Sequence, residues 1–264
     1  YINSPFYGEI MRGILQGLSG TGYLPIFADG NWRASKEERI IQMLLSRRID
    51  GLIVMGGTEN EEFLRQIGQD VSLIIIGRTI SGLTDRCLNV VNDFEGAYKA
   101  TQYLIELGHR DIVHITGILS HQDAEARRTG YLQSLIDAGI EPNPALIIEG
   151  DFSERAGVMA VEMLLTRGRT FSAIFAANDQ MAYGARLALF RHGLRVPDDV
   201  SMIGFDDQPG AAYMTPPLTT IRHPATEMGE IAAQAILSLV RGETFVAPQF
   251  SADLIIRESV TRHR

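Results

Sequence analysis

The chain has 264 residues, 45% of them hydrophobic, one cysteine and a net charge of −8. This suits a well-buried core in one large domain or two smaller ones, and makes the chain by itself a poor clamp for nucleic acid. The lone Cys87 excludes an internal disulfide, and the longest apolar runs, such as Leu73–Ile76, are too short to span a bilayer.

Short strand-like runs alternate with longer helix-like ones. Ser4 and Pro5 read as an N-cap and first helical residue, followed by Phe6, Ile10, Ile14 and Leu18 at helical spacing. Tyr23–Ala28 reads as a strand. Ser35-Lys36-Glu37-Glu38 has the form of a capping box before the apolar face Ile40, Ile41, Leu44 and Leu45. Gly51–Met55 reads as a buried strand, Thr58-Glu59-Asn60-Glu61 as a second capping box, and Val71–Ile76 as a further strand. A second series opens near Asn92, with Asp93 as a cap and Gly108 as the helix stop. Asp111–Thr116, Ala145–Glu149 and Ala252–Ile256 read as strands, and Asp123–Ala138, Ser153–Arg167 and Pro224–Val240 as helices. Repeated strand–helix units with near-continuous apolar strands predict an α/β protein with parallel sheets covered on both faces. Two such series predict two lobes.

The stretch from Thr170 to Pro224 is the most informative. Two apolar runs, Ser172–Ala177 and Val200–Phe205, each end in a polar pair, Asn178-Asp179 and Asp206-Asp207, with a helix-like segment between them closed by Gly193. Ligands of open parallel sheets bind beyond the carboxyl ends of the strands, so these side chains stand where a ligand would. The chain carries no phosphate-binding glycine loop, no dinucleotide fingerprint and no nucleophile elbow. His109, His114 and His121 lack the spacing of a metal site, so neither a metal nor a cofactor is expected. The acid pair Asp206-Asp207 admits catalysis, but carboxylates accepting hydrogen bonds fit better.

At these residues the chain resembles the LacI/GalR family of bacterial transcription regulators, in its effector-sensing part. The resemblance is carried in order by NSPFYGEIMRGI, LLSRRIDGLIV, LIELGHRDIVHITG, GDFSERAG, FAANDQMAYGARLAL, GLRVPDDVSMIGFDD, TPPLTTIRHPATEMG and LIIRES. It implies a periplasmic-binding-protein-like fold of two lobes, 1–91 plus 222–250 and 92–221 plus 251–264, with crossings near Val91, Ile221 and Phe250. It also implies a central strand and a DNA-binding helix-turn-helix headpiece upstream of Tyr1. Many sugar-responsive members have an acid at the position of Gly77, and some an arginine at that of Glu125, so the polar set of this pocket differs.

The resemblance places Phe6, Tyr7, Arg127, Phe152, Asn178 and Asp206 against the effector, with Asp151 and Glu125 as lesser candidates. The chemistry of each suits a sugar or related polyol. The guanidinium of Arg127 offers a fork of donors, Asn178 a donor and an acceptor, and Asp206 acceptors only, while Phe152 offers a flat apolar face. The competing readings are a solvated helix arginine at Arg127, core packing at Phe6, core packing or a hydrophobic staple at Phe152, helix capping at Asn178 and turn formation at Asp206. Arg127 and Asp206 are expected to serve the ligand rather than the core, so losing either should cost affinity and little stability. The resemblance further implies a cytoplasmic homodimeric repressor without enzymatic activity, whose effector binds between the lobes and alters operator affinity. A solute-binding protein of a sugar transporter is the alternative.

Overall fold

The computed structural model describes residues 4–31, 33–57, 61–88, 92–246, 248 and 251–263. The chain runs α1 (Pro5–Leu18), α2 (Ala34–Ser46), β1 (Gly51–Met55), α3 (Glu61–Asp70), β2 (Ser72–Ile76) and β3 (Cys87–Leu88). It continues with α4 (Asp93–Glu106), β4 (Ile112–Thr116), α5 (Gln122–Asp137), β5 (Ile147–Glu149), α6 (Glu154–Thr166) and β6 (Ala173–Ala176). The last elements are α7 (Asp179–Arg191), β7 (Ser201–Asp206), β8 (Thr219–Arg222), α8 (Ala225–Val240) and β9 (Asp253–Ile255). Contacts group the chain into two units, Tyr1–Val90 with Pro224–Phe250 and Val91–His223 with Ser251–Arg264.

In the first unit β1, β2 and β3 form a parallel sheet in that order. Ile10, Ile14, Ile74, Ile76, Met228 and Ile236 build the core on the α1/α8 face, while Ile41, Leu44, Leu52, Val54, Leu64 and Ile75 build it on the α2/α3 face. Helices α1 and α8 cross at glycines. A Cβ at Gly13 would lie 1.9 Å from the Thr226 carbonyl oxygen, and one at Gly229 would lie 2.1 Å from that of Ile10. Only hydrogen fits there, and the two backbones approach accordingly.

Two expectations change here. Tyr23–Ala28 is not a strand: it joins no ladder, and Leu24 and Ile26 are 91% and 66% exposed. A strand needs a neighbour for its N–H and C=O groups, and among the described residues β1 pairs with β2 and not with this segment. A slot of about 430 Å³ runs along β1, lined also by Tyr23–Ala28, Ile14, Leu18, Ile41, Leu44 and Ile236. Ser35 does not cap α2, which begins one residue earlier with Arg33 as its N-cap. The capping box at Thr58-Glu59-Asn60 and the crossings at Val91 and Phe250 fall outside the described residues.

In the second unit six strands run in the order β5-β4-β6-β7-β8-β9. All pairs are parallel except β8–β9, where the returning chain adds an antiparallel edge. Ile221, expected near a crossing, lies inside β8. Strands β4, β6 and β7 are buried at every residue, as a sheet covered on both faces requires. Helices α6 and α7 cover one face, with Val113, Ile115, Val161, Ile174, Met181 and Met202 in the core. On the other face Tyr131 of α5 stacks on His114, and Gly96 of α4 abuts the Phe205 ring.

Candidate functional site

Strand order places the site. From β4 the chain leaves through α5 to one side of the sheet, and from β6 through α7 to the other, so a switch point opens beyond their carboxyl ends. Arg127, Phe152, Asn178 and Asp206 are linked there by hydrogen bonds and ion pairs within the second unit. Phe6 and Tyr7 belong to the first unit. They are half-buried in the first turn of α1, their rings packed edge to face at 5.5 Å, against that unit's core.

Arg127 is 3% exposed. Its Nε donates to Asp93 Oδ1 at 2.8 Å, and its Nη1 donates to the Ala177 carbonyl. Its guanidinium lies 3.8 Å from the centre of the Phe205 ring and 3.8 Å from Asp206 Oδ1. Burial works against its charge, but Asp93, Asp206 and Asp123 outweigh burial and raise its pKa, so the cation is secure. Asp93 is not the cap expected of it. Asn92 caps α4 by accepting from the Glu95 N–H, and Asp93 in the first turn is free to hold Arg127. Arg127 and Asp206, 6% exposed, are thus buried groups of the unit as well as candidate ligand contacts.

Asn178 caps α7: its Oδ1 accepts from the Met181 N–H and its Nδ2 donates to the Phe152 carbonyl, both at 3.0 Å. That second bond holds Phe152 at φ 67°. The Phe152 ring, half-buried, lies over Gly117 and 6.2 Å from the His121 ring. Asp206 and Asp207 also have positive φ, 105° and 54°. Non-glycine residues in that region are strained and persist only where their surroundings hold them. Three of them meet at these strand ends, and two are candidate effector contacts.

The remaining candidates have partners. Asp207 accepts from Arg257 at 2.6 Å and Arg222 at 3.1 Å, which makes it a clamp between β7, β8 and the last strand segment. Glu125 pairs with Arg128 at 2.6 Å, and that hydrogen bond lowers its pKa. Asp151 accepts from the Ser153 N–H at 3.0 Å in a local turn. Sequence reasoning put Asp179 in a polar pair at a strand end without choosing it as a site residue; its buried carboxyl lies beneath the Asp206 turn. Burial, and the Asp206 charge after it, raise its pKa well above the usual carboxylate range. Donors, acceptors and an apolar ring at one set of strand ends can bind a small polar molecule. Among the described residues no cluster of His, Cys, Asp and Glu suits a metal, and no helix is long and apolar enough to cross a membrane.

Residues 101–260 match the family model of the periplasmic binding protein-like domain. The chain is 35% identical over 241 residues to the HTH-type transcriptional repressor PurR of Edwardsiella ictaluri (strain 93-146), an alignment covering 90% of this chain and 70% of that protein. It is similar in structure to a sugar-binding transcriptional regulator (LacI family) from Escherichia coli complexed with phosphate. The TM-score is 0.86 at 31% identity, over 98% of this chain and 94% of the other. It is also similar to the transcriptional regulator CelR in its cellobiose complex, with TM-score 0.85 and 31% identity over 97% and 79% of the two chains. These relatives are regulators, which favours that reading over a transporter component and over an enzyme. The chain belongs to the LacI family of bacterial transcriptional regulators, as its effector-binding part.

Proposed function

We propose that this chain senses a neutral sugar or related polyol through Arg127, Phe152, Asn178 and Asp206, and passes its occupancy to operator DNA through a helix-turn-helix headpiece in the longer protein. The observation that carries the reading is the ion pair between Arg127 and Asp206 at the β4/β6 switch point, beside the strained Phe152. Arg127 is already balanced by Asp93, so this set is matched to hydroxyl groups better than to an anion. The similar regulators described as sugar-binding and as a cellobiose complex point to a sugar. Phe6 and Tyr7 are the candidates from the first unit.

The two contact units are taken as the two lobes. The regulator acts as a cytoplasmic homodimer in this reading, two headpieces matching two half-sites. An effector that prefers one of two states by about 1.4 kcal/mol shifts their balance tenfold. Native mass spectrometry of the purified chain tests both parts. A dimer that carries, or takes up on titration with cellobiose and common neutral monosaccharides, one small molecule per subunit supports the reading. A monomer that takes up none of them contradicts it.

A further inference from the structure

Asp179 has no part in the functional reading above, yet its carboxyl is fully buried beneath the turn that carries Asp206. Its Oδ1 accepts from the Thr220 hydroxyl of β8 at 2.6 Å. Its Oδ2 accepts from the Gln208 backbone N–H at 2.8 Å. Gln208 closes the turn in which Asp206 and Asp207 are both left-handed, and its side-chain amide reaches Asp206 Oδ2 at 3.4 Å. Thr220 Oγ1 in turn accepts from the Asp207 N–H at 3.4 Å. A Cβ on Gly204 of β7 would lie 2.2 Å from Asp179 Oδ1, so the strand beneath leaves room for the carboxyl only because it has glycine there.

A buried carboxyl is a costly way to fill space, and an apolar side chain would pack there at lower cost. What Asp179 does that leucine could not is accept two hydrogen bonds that converge on one strained turn. Without them the two left-handed residues would relax, and the Asp206 carboxylate would swing away from Arg127.

We propose that Asp179 is a positioning residue of the effector site, which fixes the Asp206–Gln208 turn so that the Asp206 carboxylate stands beside Arg127 before any ligand arrives. Its partner Asn178 does the same for Phe152, so the pair opening α7 sets both strained contact positions. A contact organised in advance loses less freedom on binding. The proposal rests on Asp206 being an effector contact.

Site-resolved amide hydrogen exchange of the ligand-free chain tests it, using Asp179→Ala, Asp179→Asn, Asp179→Leu and Thr220→Val. In Asp179→Ala the amides of residues 206–208 should exchange at least about tenfold faster, as loss of a buried hydrogen-bond acceptor implies. Those of β6 and of α7 beyond Ala185 should keep wild-type protection. Asn retains one acceptor and should recover part of the effect, whereas Leu, of similar size, should recover none. Thr220→Val removes one arm alone and should give a smaller, equally local change, which serves if Asp179→Ala does not fold. An equal rise throughout α7 and β6, no change at 206–208, or recovery by Leu as complete as by Asn overturns the proposal. Unaltered sugar affinity in Asp206→Asn would instead remove the effector reading and leave the exchange result standing.

Discussion

Arg127 Nε donates to Asp93 Oδ1 at 2.8 Å, tying the second turn of α5 to the first residue of α4. The same guanidinium faces Asp206 at 3.8 Å. A residue that sequence reasoning expects to serve the ligand rather than the core is therefore held in place by the protein.

It follows that Arg127→Ala destabilises the unliganded chain, contrary to the expectation from sequence. Removing the cation strands two carboxylates, one of them buried, at a cost of roughly 2–4 kcal/mol. Asp206→Asn makes no such break, because Asp206 stands beyond hydrogen-bond distance of Arg127, and it should cost less than about 1 kcal/mol. Urea denaturation of both variants checks this. Equal stability of Arg127→Ala and wild type would show the Asp93 pair to be idle.

Folding stability should fall on mild acidification because of His114. Burial is the largest influence on this imidazole and, with Arg127 and Arg128 acting the same way, lowers its pKa from 6.5 to about 4, against the opposing hydrogen bond to the Phe175 carbonyl. The carbonyl can only accept, so Nδ1 carries the proton, and Nε2 finds no hydrogen-bond partner among the described residues. The folded state thus keeps His114 neutral while the unfolded chain takes up a proton. Stability is complete above pH 6.5 and is lost as pH falls from there towards 4, by up to about 3 kcal/mol. Burial shifts His109 in the same direction. Replacing His114 with Phe should flatten the slope of unfolding free energy across this window. An unchanged slope would assign the acid sensitivity elsewhere.

Much of this was legible in the sequence. The apolar runs of β1, β4, β6 and β7 and the stops at Gly108 and Gly193 are local signals, and they place the α/β alternation to within a few residues. Tyr23–Ala28 has a strand's composition, but whether it forms one depends on a neighbour that local pattern does not supply. Asp179 reads from sequence as one of a polar pair at a strand end. Its role comes from Thr220 and Gln208, 41 and 29 residues away. Arg127 stood out in the sequence as a candidate site residue, while its pairing with Asp93, 34 residues upstream, was not legible there.

Phe152 offers a further test, because its ring and its backbone have separate tasks. Phe152→Leu keeps an apolar side chain at φ 67° but removes the flat face. Sugar affinity should drop roughly fivefold, in line with about 1 kcal/mol for an aromatic contact, with little change in melting temperature. Calorimetric titration beside thermal unfolding separates the two. A large loss of stability with full affinity would make Phe152 a core residue only.

The central claim is that Asp206 and its neighbours read a neutral sugar. Thermal shift of wild type and Asp206→Asn against a panel of neutral mono- and disaccharides, sugar phosphates and nucleobases tests it most directly. The account predicts that at least one neutral saccharide raises the wild-type melting temperature, and that Asp206→Asn loses most of that rise while melting near wild type without ligand. A response confined to the phosphates or nucleobases, or a saccharide response that survives Asp206→Asn intact, would contradict it.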